Sequence, residues 1–137
     1  MNIDQINREL QKIPYAQALG AKARFMGDEL QLVLPFSEDN IGNPVLQAIH
    51  GGVIGGFMET MAITQLLLTS GANVLPKPIG INVDYLRRGK PEETYASAII
   101  TKHGSRVVNV RVAAWQDDPE KPIATLHGHF MIAAEDE

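Results

Sequence analysis

The run HGGVIGGFMETMAITQLLL, from His50 to Leu68, constrains the fold of this chain more than any other stretch. It reads as one helix over about 51–69, ending near Gly71, and no other long helix is visible in the sequence. Its apolar stripe is expected at Val53, Phe57, Met61, Thr64 and Leu68, with Ile54 and Leu67 beside it. Much of the remaining chain alternates as strands do. One apolar helix among about six strands has a simple physical solution: the sheet curls around the helix and buries the stripe in its concave face.

Local signals place the flanking elements. Residues 4–13, DQINRELQKI, fit a short helix with Asp4 as N-cap and Pro14 as its stop. Residues 18–25 and 29–35 are strand candidates separated by a turn at Gly27-Asp28. Residues 36–50, with Gly42, Asn43 and Pro44, read as a loop. After the long helix come PIGINVDYLRRG, ETYASAIITKHG, SRVVNVRVAAWQDD and KPIATLHGHFMIAA. The breaks between them, Arg88-Gly89-Lys90-Pro91, Gly104-Ser105 and Asp117-Asp118-Pro119, are hairpin-like and predict a mostly antiparallel meander. The acidic tail from Glu135 to Glu137 is expected to fray. The expected class is therefore α+β, one domain over residues 1–137.

Composition narrows the function. Apolar residues make up 45% of the 137 and charged residues 20%, as in globular chains. A net charge of -4 provides no overall attraction to nucleic acid or anionic membrane. The absence of cysteine excludes disulfides, thiolate metal sites and cysteine nucleophiles. MNIDQINREL lacks the apolar segment of a signal peptide, and no apolar run is read as approaching the ~18 residues of a membrane span, so a soluble cytoplasmic protein is expected.

Four glycines, Gly51, Gly52, Gly55 and Gly56, open the long helix. Glycine costs a helix interior about 1 kcal/mol relative to alanine, so their placement needs a reason. A helix N-terminus carries unpaired N–H groups and partial positive charge, and glycine lets a ligand oxygen approach them. Gly51 with Gly55, and Gly52 with Gly56, lie one turn apart and form a smooth strip open to another backbone. Glu59, seven residues past Gly52, lies on the same strip. The plainer reading, glycines for tight packing and a solvated glutamate, explains the pattern equally well.

His50-Gly51-Gly52, an apolar run and an acid nine residues after the histidine resemble the hot-dog-fold acyl-CoA thioesterases, nearest the phenylacetate-pathway and 4-hydroxybenzoyl-CoA branch. DYLRRG, TKHGSRVVNVRV and ATLHGHFMIA follow in the family's order, so the resemblance spans roughly residues 15–134. It implies a curved sheet of about six strands around one central helix. It also implies that the Gly51 N–H polarises the thioester carbonyl and that Glu59 is the nucleophile or activates water. The family's asparagine, six residues before the histidine, falls here on Pro44; the neighbouring Asn43 is the candidate. A hydroxyl residue that some members place on the following strand has no clear equivalent in PKPIGINV.

That chemistry also stands on general grounds. Thioester cleavage drives negative charge onto the carbonyl oxygen, and a pre-aimed N–H is worth about 3 kcal/mol to it. A partly buried glutamate can attack or take a proton from water. No metal is required and no usual metal spacing is present; a site at His127 and His129, which share a strand face, is weighed against ordinary exposed histidines and set aside. His50 is favoured as a structural residue before the helix over a catalytic base. Gly52 belongs to the substrate strip. Arg87, Arg88 and Lys90 cluster at a strand end, and Lys102, His103, Gly104, Ser105 and Arg106 at a hairpin; these are solubilising turn charge or a cradle for coenzyme A phosphates. Trp115 is expected in the core or an interface.

Three activities remain open: acyl-CoA hydrolysis, an acyl-thioester hydratase or dehydratase using His50 and Glu59, and a non-catalytic acyl-CoA binder. No cofactor is expected beyond the coenzyme A of the substrate. Gly51 and Glu59 lie eight residues apart, about 12 Å along one helix. Both must approach one thioester, which predicts a homodimer of antiparallel helices, further paired into a tetramer.

Overall fold

The computed structural model describes residues 1–70 and 76–132. Helix α1 spans Ile3–Gln11 and buries Ile6 and Leu10. Its cap is Asn2, not Asp4: Asn2 Oδ1 accepts from the Gln5 N–H at 2.9 Å, and Gln5 Oε1 accepts from the Asn2 N–H at 2.8 Å. Pro14 does more than stop this helix. It opens α2, Pro14–Leu19, where its missing N–H and fixed φ suit the first turn. Gly20 closes α2 at φ 70°, so the strand expected from residue 18 begins only at Lys22.

Strands β1 (Lys22–Met26) and β2 (Glu29–Leu34) form the expected hairpin. The stretch expected to be loop contains a 3-10 turn at Glu38–Asn40 and a small ladder of β3 (Ile41–Asn43) with β4 (Ala48–Ile49). Helix α3 runs from Gly51 to Ser70; its expected end at Gly71 and the acidic tail lie outside the described residues. Then come β5 (Lys77–Tyr85), β6 (Thr94–His103), β7 (Val107–Trp115) and β8 (Ala124–Met131).

The sheet order is β1-β2-β6-β7-β8-β5, antiparallel throughout. Only β6, β7 and β8 form a meander; β5 pairs with β8 and not with its sequence neighbour β6. The reason lies in the connection after Tyr85. Leu86 and Arg87 donate their N–H groups to the Ile123 carbonyl at 2.8 and 3.0 Å, and Gly89 accepts from the Ile49 N–H at 2.9 Å. A Cβ at Gly89 would lie 3.1 Å from Ile54 Cδ1, so glycine lets the chain cross tightly beneath α3.

This is the hot-dog arrangement, with α3 as its axis. The expected stripe proves too narrow: Ile54, Phe57, Met58, Thr60, Met61, Ala62, Ile63, Thr64, Leu66 and Leu67 are all buried, while Val53 and Leu68 are half-buried. The sheet packs against α3, and α1 and α2 also contact it. Thr60 and Thr64 stay satisfied by donating to the Gly56 and Thr60 carbonyls at 2.8 and 2.7 Å. By length and composition this 20-residue helix is apolar enough to cross a membrane, contrary to the sequence expectation, although half of its residues are buried within the fold. Trp115 is buried as expected, its ring 6.1 Å from that of Tyr95.

Candidate active site

The first turn of α3 is organised by the residue before it. The His50 N–H donates to the Asn40 carbonyl at 2.7 Å, which ties the helix start to the preceding loop. His50 Nδ1 accepts from the Gly52 N–H at 2.9 Å, which assigns the ring proton of neutral His50 to Nε2. The His50 carbonyl accepts from the Val53 and Ile54 N–H groups at 3.0 and 3.2 Å. The Gly51 N–H alone in this first turn has no acceptor among the described residues. From β5, the Tyr85 hydroxyl donates to the Gly51 carbonyl at 2.7 Å. The Gly51–Gly52 peptide is therefore held at both ends, its C=O by Tyr85 and its N–H by His50.

The glycines are seats for aromatic rings. A Cβ at Gly51 would lie 3.3 Å from the Tyr85 ring, and one at Gly55 would lie 3.2 Å from the Tyr85 hydroxyl. At Gly52 it would meet the His50 ring at 3.0 Å, and at Gly56 the Tyr15 ring at 2.3 Å. The smooth strip expected from the sequence is thus lined by three rings of the same chain. Sequence spacing showed which residues lacked side chains but not which rings would fill the space.

Glu59 lies on α3 one turn beyond these seats. It is half-buried and has no hydrogen-bond or ion-pair partner among the described residues. Burial raises its carboxyl pKa above the ordinary value. Tyr15 stands beside it: burial raises the phenol pKa, and the negative charge of Glu59 raises it further. Neither Tyr15 nor Tyr85 was singled out in the sequence. The available signal was that glycines in a helix need something to occupy the space above them.

The remaining candidates separate. Asn43 Oδ1 accepts from the Val45 and Leu46 N–H groups, both at 3.1 Å, and so closes the exposed turn between β3 and β4. Arg88 donates to the Leu46 carbonyl in that turn, and Arg87 donates to the Pro122 carbonyl at 2.7 Å. Lys90 pairs with Asp117 at 3.1 Å. These three basic residues therefore brace loops near the start of α3. Lys102 and His103 end β6, and Gly104, Ser105 and Arg106 form the turn into β7, roughly 30 Å from Thr94 at about 3.3 Å per residue. A single chain does not bring the two basic groups together. His127 and His129 lie on exposed positions of β8 with ring centroids 5.8 Å apart, and His129 Nδ1 is 2.5 Å from Asn109 Oδ1. Among the described residues no group of three His, Cys, Asp or Glu is placed to hold a metal.

An N–H without an acceptor among the described residues and a half-buried carboxylate are parts that acyl transfer can use. Known proteins point the same way. The sequence pattern of the thioesterase superfamily matches residues 46–123, from the turn before α3 to the residue before β8. A protein from Chromobacterium violaceum of known structure is 35% identical, with 97% of this chain and 93% of that one covered and a TM-score of 0.77. A thioesterase from Haemophilus influenzae shares the fold at 16% identity, with 100% and 94% covered and a TM-score of 0.84. A phenylacetic acid degradation-related protein from Ralstonia eutropha does so at 21% identity, with 96% and 100% covered and a TM-score of 0.79. A search of curated proteins returns no match. With the pattern matching more than half of its length and a close structural relative covered almost end to end, this chain belongs to the thioesterase superfamily.

Proposed function

We propose that this protein hydrolyses acyl-CoA thioesters to the free acid and coenzyme A, with the Gly51 N–H as oxyanion donor and Glu59 as nucleophile or general base. The observation that carries the reading is the pair of groups on α3: a Gly51 N–H with no acceptor among the described residues, next to a peptide held by His50 and Tyr85, and a half-buried carboxylate with no hydrogen-bond or ion-pair partner among them. His50 Nδ1 is occupied by the Gly52 N–H, which favours a structural role for His50 and counts against a hydratase that would use it as a base. The acyl group is apolar, medium-chain or aromatic; the name of the Ralstonia eutropha relative adds weight to the aromatic class. No cofactor is needed, and the enzyme is placed in the cytoplasm.

The site is completed by a second copy. Gly51 and Glu59 lie on one unbroken helix, about 12 Å apart along its axis. Two antiparallel copies of α3 would set the N-terminus of each against the middle of the other, twice by symmetry. Such a pair also carries the Arg106 turn of one chain toward the end of the sheet where the other holds Arg87 and Arg88. Strand β5 supplies an edge for the assembly: it is terminal in the sheet, and Ile79, at 56% exposure, faces outward from it. Pairing of such dimers gives the tetramer.

Release of free thiol from a panel of acyl-CoAs tests the activity. Conversion of a 2-enoyl-CoA without thiol release indicates a hydratase, and binding without turnover a non-catalytic protein. Complementation tests the assembly. Glu59→Gln and Gly51→Pro homodimers should each be nearly inactive, while co-refolded heterodimers recover one site in two. Inactive heterodimers would mean that the site is built within one chain.

A further inference from the structure

Tyr85 is anchored by a hydrogen bond, but Tyr15 makes none among the described residues and is 44% exposed. Its position is set by the short helix that carries it. Ala16 and Leu19 of α2 are buried, and Pro14 fixes the start, so the Tyr15 ring is brought to α3 by the docking of its neighbours. There it rests on Gly56: an added Cβ would fall 2.3 Å from Tyr15 Cε2 and 2.9 Å from its hydroxyl. Residues three apart on a helix are surface neighbours, so a ring seated on Gly56 abuts Glu59. The negative charge of Glu59 raises the pKa of the Tyr15 phenol, and burial raises that of the Glu59 carboxyl.

We propose that Tyr15 is a positioning residue for Glu59: seated on Gly56, its ring closes one side of the carboxylate to water. The proposal deepens the hydrolase reading and rests on it, because shielding bears on catalysis only if Glu59 is the reacting group. It also gives Gly56 a specific role, since any side chain there would displace the ring. A carboxylate deprived of water is a stronger base at neutral pH than one in solvent, which agrees with the raised pKa that burial gives Glu59.

The test is a carboxyl-carbon NMR titration of Glu59, read in parallel with the pH dependence of kcat/KM. Tyr15→Phe keeps the ring, so Glu59 should titrate as in the parent. Tyr15→Ala admits water, so the midpoint should move down toward the ordinary carboxylate range, and the acid limb of kcat/KM should move with it. Gly56→Ala should produce a shift of the same sign with the phenol still present. In the double variant, Gly56→Ala should add nothing to Tyr15→Ala, because no ring remains to displace. An unmoved midpoint in Tyr15→Ala, an equal fall in Tyr15→Phe, or additive shifts in the double variant would overturn the proposal. If Tyr15→Ala does not fold, Tyr15→Phe against Gly56→Ala decides: a fall confined to Gly56→Ala supports shielding, and any other pattern sinks it. The titration requires no turnover. If the midpoints behave as stated but no thioester is cleaved, the shielding stands and the hydrolase reading falls.

Discussion

The two ends of the glycine-rich turn pair of α3 are built on opposite principles. At Gly51 the backbone is tightly held: His50 holds the next N–H at 2.9 Å, Tyr85 holds the carbonyl at 2.7 Å, and the Gly51 N–H has no acceptor among the described residues. At Glu59 the side chain accepts no hydrogen bond from the described residues, and its half-burial raises the carboxyl pKa. A donor that must meet charge in one place benefits from being fixed beforehand. A carboxylate that must attack or take a proton benefits from having no partner to give up. Aromatic rings seated on glycines serve both ends, Tyr85 through a hydrogen bond and Tyr15 through coverage.

The strongest way to break this comparison is Glu59→Gln. It should lower the hydrolytic rate by about a hundredfold or more, the scale of lost general-base or nucleophilic catalysis, with the fold intact by circular dichroism. A variant that retained most of its rate would remove Glu59 from the chemistry and leave only one functional end.

Tyr85→Phe sharpens the other end. The ring stays seated on Gly51 and Gly55, but the bond to the Gly51 carbonyl is lost. One neutral hydrogen bond is worth about 1 kcal/mol, so kcat should fall roughly fivefold with KM little changed. A rise in KM at constant kcat would mean that Tyr85 contacts substrate and does not hold the peptide.

The basic groups divide in a similar way. Arg88 is engaged with the Leu46 carbonyl, whereas the Arg106 turn lies at the distant end of β6. Arg106→Ala should weaken binding of acyl-CoA more than of a short pantetheine thioester, by severalfold at low salt and less at high salt. Arg88→Ala should affect both substrates alike, because its loss frees a loop. Equal effects of Arg106→Ala on both substrates would return that turn to ordinary surface charge.

The smallest expected effect concerns stability. Burial holds the folded-state pKa of Glu59 above its unfolded value, so the folded protein binds the proton more tightly. The charged form therefore costs stability, fully above the folded pKa and not at all below the unfolded one. Glu59→Gln should raise Tm slightly at neutral pH and leave it unchanged near about pH 3, where the carboxyl is protonated in both states. A Tm gain of the same size at both pH values would trace to packing and not to titration.

Much of the fold was legible because its signals are local. The apolar run from Gly51 announced a buried helix, and the alternation in ELQLVLPF announced β2. Where the reading failed, a longer-range or competing local contact had prevailed. Asn2 with Gln5 made a better cap than Asp4, and Pro14 with Gly20 enclosed a second short helix whose last residues, Ala18 and Leu19, fall in the stretch expected to begin a strand. Strand β5 left its neighbour β6 because Leu86, Arg87 and Gly89 found partners in Ile123 and Ile49, residues far away in sequence.

The candidate site divides along the same line. The glycines that open α3, Glu59 further along the same helix and His50 before them can be read from the order of residues alone, because a helix converts spacing directly into position. What those groups meet depends on packing between elements. Tyr85 arrives from the end of β5, 34 residues beyond Gly51, and Tyr15 from α2, 41 residues before Gly56. Which ring comes to rest on which glycine depends on how α2 and β5 pack against α3, and the periodicity of a single element does not encode that packing.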